Sequence, residues 1–206
     1  LAGAVAAENK GFIDNVTGFG NTVSGSLAVG GLVGFNSGTL SNVHNIGIAS
    51  ADSGEASVGG LVGVNEYKKD SKEIGRIENA VSLGAVVSTG AVTGGLGGVA
   101  GYNQGVIHDA ASEGVTRGQR EYINEGKVYV DFASNDVGGI AGKNSGLITE
   151  AYNEGILMGA DYVGGITGSN SGIMINVSNA ANIAATGEDK DRFTEYAGGL
   201  TGSNSG

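Results

Sequence analysis

The 206-residue chain contains no proline, no cysteine and no tryptophan. Without proline, and without glycine at every third position, a collagen-like triple helix is excluded. The missing cysteine fits a cytosolic protein and equally an exported bacterial protein that avoids thiols, so it leaves the compartment open. Charge is scarce, at 16% of residues, and basic charge most of all: 11 lysines and arginines stand against 21 acidic residues, a net charge of −10. Nucleic acid and anionic membrane surfaces both need a basic face, so neither is an expected partner. No apolar run approaches the ~18 residues that cross a bilayer, so membrane insertion is not expected. Only His44 and His108 represent histidine, and neither belongs to an HExxH metallopeptidase motif. No signal peptide or initiator methionine opens the chain, which reads as a processed product or a piece of something longer.

Glycine is what the chain has in excess, at 41 residues, together with 40% hydrophobic residues that argue against disorder. The glycines recur in one phrase. GGLVGFNSG at 30–38 returns as GGLVGVN at 59–65, GGVAGYNQG at 97–105, GGIAGKNSG at 138–146, GGITGSNSG at 164–172 and GGLTGSNSG at 198–206. A degenerate copy, GAVAAENKG, occupies 3–11. The first glycines are spaced by 27, 29, 38, 41, 26 and 34 residues, a basic unit of 26–29 plus insertions. Such periods mark solenoids, propellers or arrays.

Within the phrase the Leu32 position is always aliphatic, whereas the Phe35 position accepts Glu8, Val64, Tyr102, Lys143, Ser169 and Ser203. That alternation predicts a strand with Leu32 inward, flanked by inward Gly30 and Gly34 that let opposing walls approach. Asn36-Ser37-Gly38 and its equivalents then form a turn, since asparagine and glycine tolerate left-handed backbone angles. Stacked coils would align these asparagines in an amide ladder. A second strand follows, as in Leu40-Ser41-Asn42-Val43, whose apolar sites lie three apart. This spacing predicts a bend at the Asn42 position. A further glycine (Gly20, Gly47, Gly84, Gly114, Gly155) is expected to make the next corner before a short third strand.

The expected fold is therefore all-β: a three-sided parallel β-solenoid, right-handed, of about six coils of 26–29 residues, forming a single domain over 1–206. At ~4.8 Å per coil it would be roughly 29 Å long. The insertions carry most of the charge, at 66–75, 116–126 and 187–196, while the extra at 88–95 is apolar. Loops of this kind leave a solenoid at its corners, often on the binding face. Both termini fall inside the phrase, so either more repeats flank the segment or copies stack end to end through open strand edges.

The phrase Gly-Gly-Leu-Val-Gly-x-Asn-x-Gly, followed by x-Ile-x-Asn, resembles the GLUG repeat of bacterial surface proteins. That repeat occurs in filamentous-haemagglutinin-like adhesins and in the non-catalytic region of metallopeptidases that cut immunoglobulin A. The first copy departs most, with Ala4, Ala6 and Ala7 replacing motif residues, and the inserts at 66–75 and 187–196 are foreign to the repeat. The resemblance implies a secreted, elongated scaffold on a bacterial cell surface. Its partners would be a host or neighbouring-cell surface protein or glycan, or other copies of itself.

Two features stand out as candidate sites. Asp109 and Glu150 share the bend register in successive coils, and Glu113 and Glu154 share another just before the corner glycines. Carboxylates ~5 Å apart could recruit Ca²⁺ or, at the spacing of a retaining glycosidase, act on a polysaccharide; the plain reading is solvated surface acids. No other cofactor is implied. Phe35, Val64 and Tyr102 form an outward apolar column that could stack on sugars or on another copy. The function expected is a non-enzymatic structural or adhesive scaffold. The alternatives are a filament subunit stacking end to end and an accessory region of a secreted peptidase or polysaccharide-degrading enzyme.

Overall fold

A computed structural model describes residues 1–52, 54–90, 92–118, 120–124, 127–131, 136–185 and 196–206, with backbone only at 120–124 and 127–131. The chain is a parallel β-solenoid. Three parallel sheets run its length: two narrow ones of seven strands each and a broad one of eleven. The first narrow sheet takes Ala28–Gly30 and its equivalents, and the second takes Val33–Asn36 and its equivalents. The broad sheet is built on Thr39–Ala51, a single 13-residue strand.

The sides thus divide differently from the expected pattern. The phrase is not one strand. It ends one strand at Gly30, bends at Gly31-Leu32 and starts another at Val33. Leu32 and Val33 are consequently both fully buried, which strict alternation would forbid. Nor does Gly47 end a side, because the strand Thr39–Ala51 runs straight through it. The expected second and third strands belong to one sheet, and their registers continue across it from Leu40 to Ala49.

This division splits the core in two. One column contains Leu32, Val33, Leu40 and Val43 with their equivalents. The other contains Val29, Ala49 and Ala51 with theirs, and Val92 from the apolar extra packs there too. Between them the phrase glycines press onto the broad sheet. A Cβ on Gly98 would lie 2.1 Å from Ser112 Oγ and 2.1 Å from Gly139 O. The two narrow sheets also touch backbone to backbone, since a Cβ on Gly63 would lie 2.5 Å from Val29 N. The cross-section is two-lobed, with a waist only glycine can occupy. Each fully buried Leu or Ile in these columns contributes about 1.5–3 kcal/mol relative to exposure.

The remaining sequence signals are present. The residues at the bend register have left-handed φ, from 48° at Asn79 to 54° at Asn15 and Asn176, including 51° at Asp109 and 53° at Glu150. The turn asparagines form the amide ladder. Asn9 donates through Nδ2 to Asn36 Oδ1 at 2.8 Å, and Asn36 to Asn65 at 2.9 Å. The column continues through Asn103 and Asn144 at 2.8 Å each, then Asn170 and Asn204 at 2.7 Å each. All but the last of these asparagines are buried. Buried amides hydrogen-bonded along the axis avoid the ~1–3 kcal/mol penalty of an unpaired polar group.

Candidate functional site

The outer faces of the coils are where side chains are free to vary. On the second narrow sheet, Phe35, Val64 and Tyr102 lie in adjacent register. The expected apolar column exists, but it is not uniformly open. Val64 is only 8% exposed, and Phe35 and Tyr102 are half-buried. The column continues into Glu8 above Phe35 and into Lys143, Ser169 and Ser203 below Tyr102. It therefore changes from acidic to apolar, then to basic at Lys143 and to hydroxylated beyond it, along the axis.

The insertion at 66–75 sits at the upper end of this face. It is spliced into the Asn-x-Gly turn of its coil: Gly75 N donates to Glu66 O, and Asn65 Nδ2 donates to Gly75 O at 3.0 Å. Gly75 thereby takes the register of Gly38, and the intervening Tyr67–Lys68 and Glu73–Ile74 pair as an antiparallel hairpin. Lys68 Nζ reaches Glu8 at 3.6 Å and Glu66 at 3.4 Å, while Lys10 holds Glu8 at 3.0 Å. The hydrogen bond from Lys10 is the main reason the Glu8 carboxyl is held below its usual pKa, with Lys68 adding to it. Partial desolvation opposes the charge on Lys68, but Glu66, Glu8 and Glu73 together outweigh it and raise its pKa. The insert at 116–126 leads into a second antiparallel hairpin, Arg120–Asn124 with Lys127–Asp131. The insert at 187–196 lies outside the described residues except for Tyr196, which stacks on Tyr162 with centroids 5.2 Å apart.

The acidic pairs are register neighbours, as expected from the sequence. Ala110 pairs with Ala151, which sets Asp109 beside Glu150 at the bend. Glu113 and Glu154 each donate their amide to the coil before, at Ser82 O and Ser112 O. All four side chains are exposed. Among the described residues, no three His, Asp or Glu side chains gather in a group able to hold a metal ion. What these acids surround is Tyr152, whose hydroxyl donates to Glu113 Oε1 at 3.4 Å. Burial first, then the negative charges of Glu113, Glu154 and Asp109, pushes the Tyr152 phenol above its usual pKa. A shallow hollow of about 370 Å³ opens beside it, lined by Asn153, Glu154 and Asn179. His108 is engaged by Thr149, Nδ1 to Oγ1 at 2.9 Å.

One polar column was not anticipated. Asn45, Ser82, Ser112, Asn153 and Asn179 follow one another in register on the inner side of the broad sheet, facing the waist glycines. Asn45 Nδ2 donates to Gly60 O at 2.8 Å, and Asn153 Nδ2 to Asn179 Oδ1 at 3.0 Å. The signal was present in the sequence: each of these small polar residues lies two places before a Gly47-type glycine or its equivalent. The column serves the structure, because it gives the pinched backbone polar partners.

The chain's architecture is thus a regular frame with variable outer columns and corner inserts. In comparison with known proteins, no family model matches the chain, and neither a curated protein nor a solved structure matches it.

Proposed function

We propose that this chain is a non-enzymatic scaffold segment of a secreted bacterial surface protein, acting as an adhesin stalk or display surface. The observation that carries the reading is the contrast between frame and inserts. Buried positions repeat coil after coil, down to the unbroken asparagine column, whereas the hairpin at 67–74 interrupts a turn without displacing Asn65 or Gly75 from register. A frame that absorbs insertions while holding register is suited to presenting them at fixed spacing. The GLUG-like phrase supports the cell-surface setting, and the mixed outer column on a chain of net charge −10 suits protein or glycan contacts rather than nucleic acid.

Display on a non-adherent bacterium tests this. The chain should raise attachment to host-cell or matrix-coated surfaces. Removing residues 67–74, which rejoins Glu66 to Gly75 as an ordinary turn, should alter attachment while the far-UV β-sheet signal is retained. Attachment no greater than that of a non-displaying control would sink the proposal.

A further inference from the structure

The broad sheet presents an exposed apolar surface. In the register of Ile46 stand Phe19 and Leu83, and in the register of Ile48 stand Ala85, Val115 and Ile156. Phe19, Ile46, Ile48, Leu83 and Ile156 are between 39% and 81% exposed. The next outward column carries Ser50, Val87, Arg117 and Met158. Contiguous apolar surface of this kind on a soluble chain marks an interaction site more often than scattered single residues do. It lies on the side of the solenoid, so it is separate from the strand edges at either end.

Two of the charges at this surface, on Arg117 and Glu113, are arranged in a self-complementary way, while Glu154, next in the Glu113 register, takes Met158 as its counterpart one coil from Arg117. Arg117 is exposed and forms no ion pair among the described residues. Glu113, also exposed, follows Leu83 in the Ile46 register. Both lie on the same coil, two residues to either side of Val115. A two-fold axis parallel to the solenoid and passing over the Ile48–Val115 column exchanges those two outer columns between facing copies. Arg117 of each copy then meets Glu113 of the other, at both ends of the contact. On the coil before, Leu83 meets Val87, and along the axis Ile48, Val115 and Ile156 each meet their own counterparts. Farther out, the same operation sets His44 opposite Asp52, which share one coil four residues to either side of Ile48.

We infer that this face pairs with the same face of a second copy, giving a side-by-side, parallel two-fold dimer of solenoids. Such a contact is isologous: one patch serves both partners and closes, so it makes a dimer and not a sheet. Facing sheets ~10 Å apart interdigitate their outward side chains, which is the packing of a β-sandwich core. The net charge of −10 opposes association over long range, and the Arg117–Glu113 contacts fix the alignment by local complementarity.

Sedimentation over a concentration series, from micromolar to a few hundred micromolar, tests the inference. The chain should show a reversible monomer–dimer equilibrium. Ile48→Lys and Ile156→Lys, both at exposed positions, should give monomers with an unchanged circular dichroism spectrum. Arg117→Glu alone and Glu113→Arg alone should each weaken the dimer by about tenfold or more, the scale of a close interfacial charge pair. The double variant should restore it to near the original affinity. A chain that stays monomeric throughout, a dimer indifferent to Ile48→Lys, or a double variant no better than either single variant overturns the inference. A monomeric chain that captures lipid vesicles through this face would likewise overturn it in favour of a different occupant.

Discussion

Asn103 shows what one residue does in this molecule. It accepts from Asn65 and donates to Asn144, and no water reaches it. Asn103→Ala strands a donor above and an acceptor below, at about 1–3 kcal/mol each. The unfolding free energy should fall by about 2–5 kcal/mol, read by urea titration, whereas Asn204→Ala at the exposed end should cost much less. Glu150 is the opposite case. It holds a left-handed φ of 53° where most coils use asparagine, and glutamate pays a steric penalty there that asparagine largely escapes. Glu150→Asn should therefore raise the melting midpoint, by about 0.5–1 kcal/mol of stability. If calcium bridged Asp109 and Glu150, the same substitution would instead lower the midpoint in calcium and raise it only in EDTA, where the φ effect acts alone.

Among the elements, the Gly-Gly bend carries the most consequence. It joins two sheets, closes two core columns and rests on the inner polar column. Gly98→Ala should cost more than about 3 kcal/mol, because its Cβ meets Gly139 O as well as Ser112 Oγ. Trimming the side chain with Ser112→Gly should not rescue it, since the Gly139 carbonyl remains; full recovery by the double variant would contradict so narrow a waist. This element is also where sequence and structure part. The inward Leu32, the turn asparagines and the bend at Asn42 were legible because each leaves a one-dimensional trace: fixed chemistry at a fixed offset. The split at Gly31 leaves no such trace. Leu32 and Val33 read as neighbours on one strand, and nothing in their types says that both face inward. The broad sheet was hidden for a related reason. Gly47 and its equivalents look like corner glycines, yet their requirement is close stacking on the coil before, as when a Cβ on Gly84 would lie 1.9 Å from Gly47 O. Of the candidate site, register was readable and exposure was not: Val64 is covered in a way no alternation pattern records.

At the scale of the whole molecule, each coil pairs only with its neighbours, so stability is a sum of local terms and interfaces. The middle coils have partners on both sides, and the end coils have one. Amide hydrogen exchange should then be slowest at Leu61, Val99 and Ile140, whose N–H groups donate to Val99, Ile140 and Ile166 of the following coils. Val5 and Ile173 should exchange faster, since exposure of Phe12 at 68% and Ile173 at 59% leaves those coils little core to hold them. Uniform protection along the axis would mean that the solenoid opens only as one cooperative block.

The asparagine column has one more property, which is direction. From Asn9 to Asn204, every link of the column runs from the side-chain amide of the earlier coil to the side-chain oxygen of the later one. The column is a vector, a row of aligned amide dipoles with a donor end and an acceptor end. Coils are therefore exchangeable cassettes in one orientation only. A coil grafted head to tail continues the row, while one grafted head to head would set donor against donor at the seam.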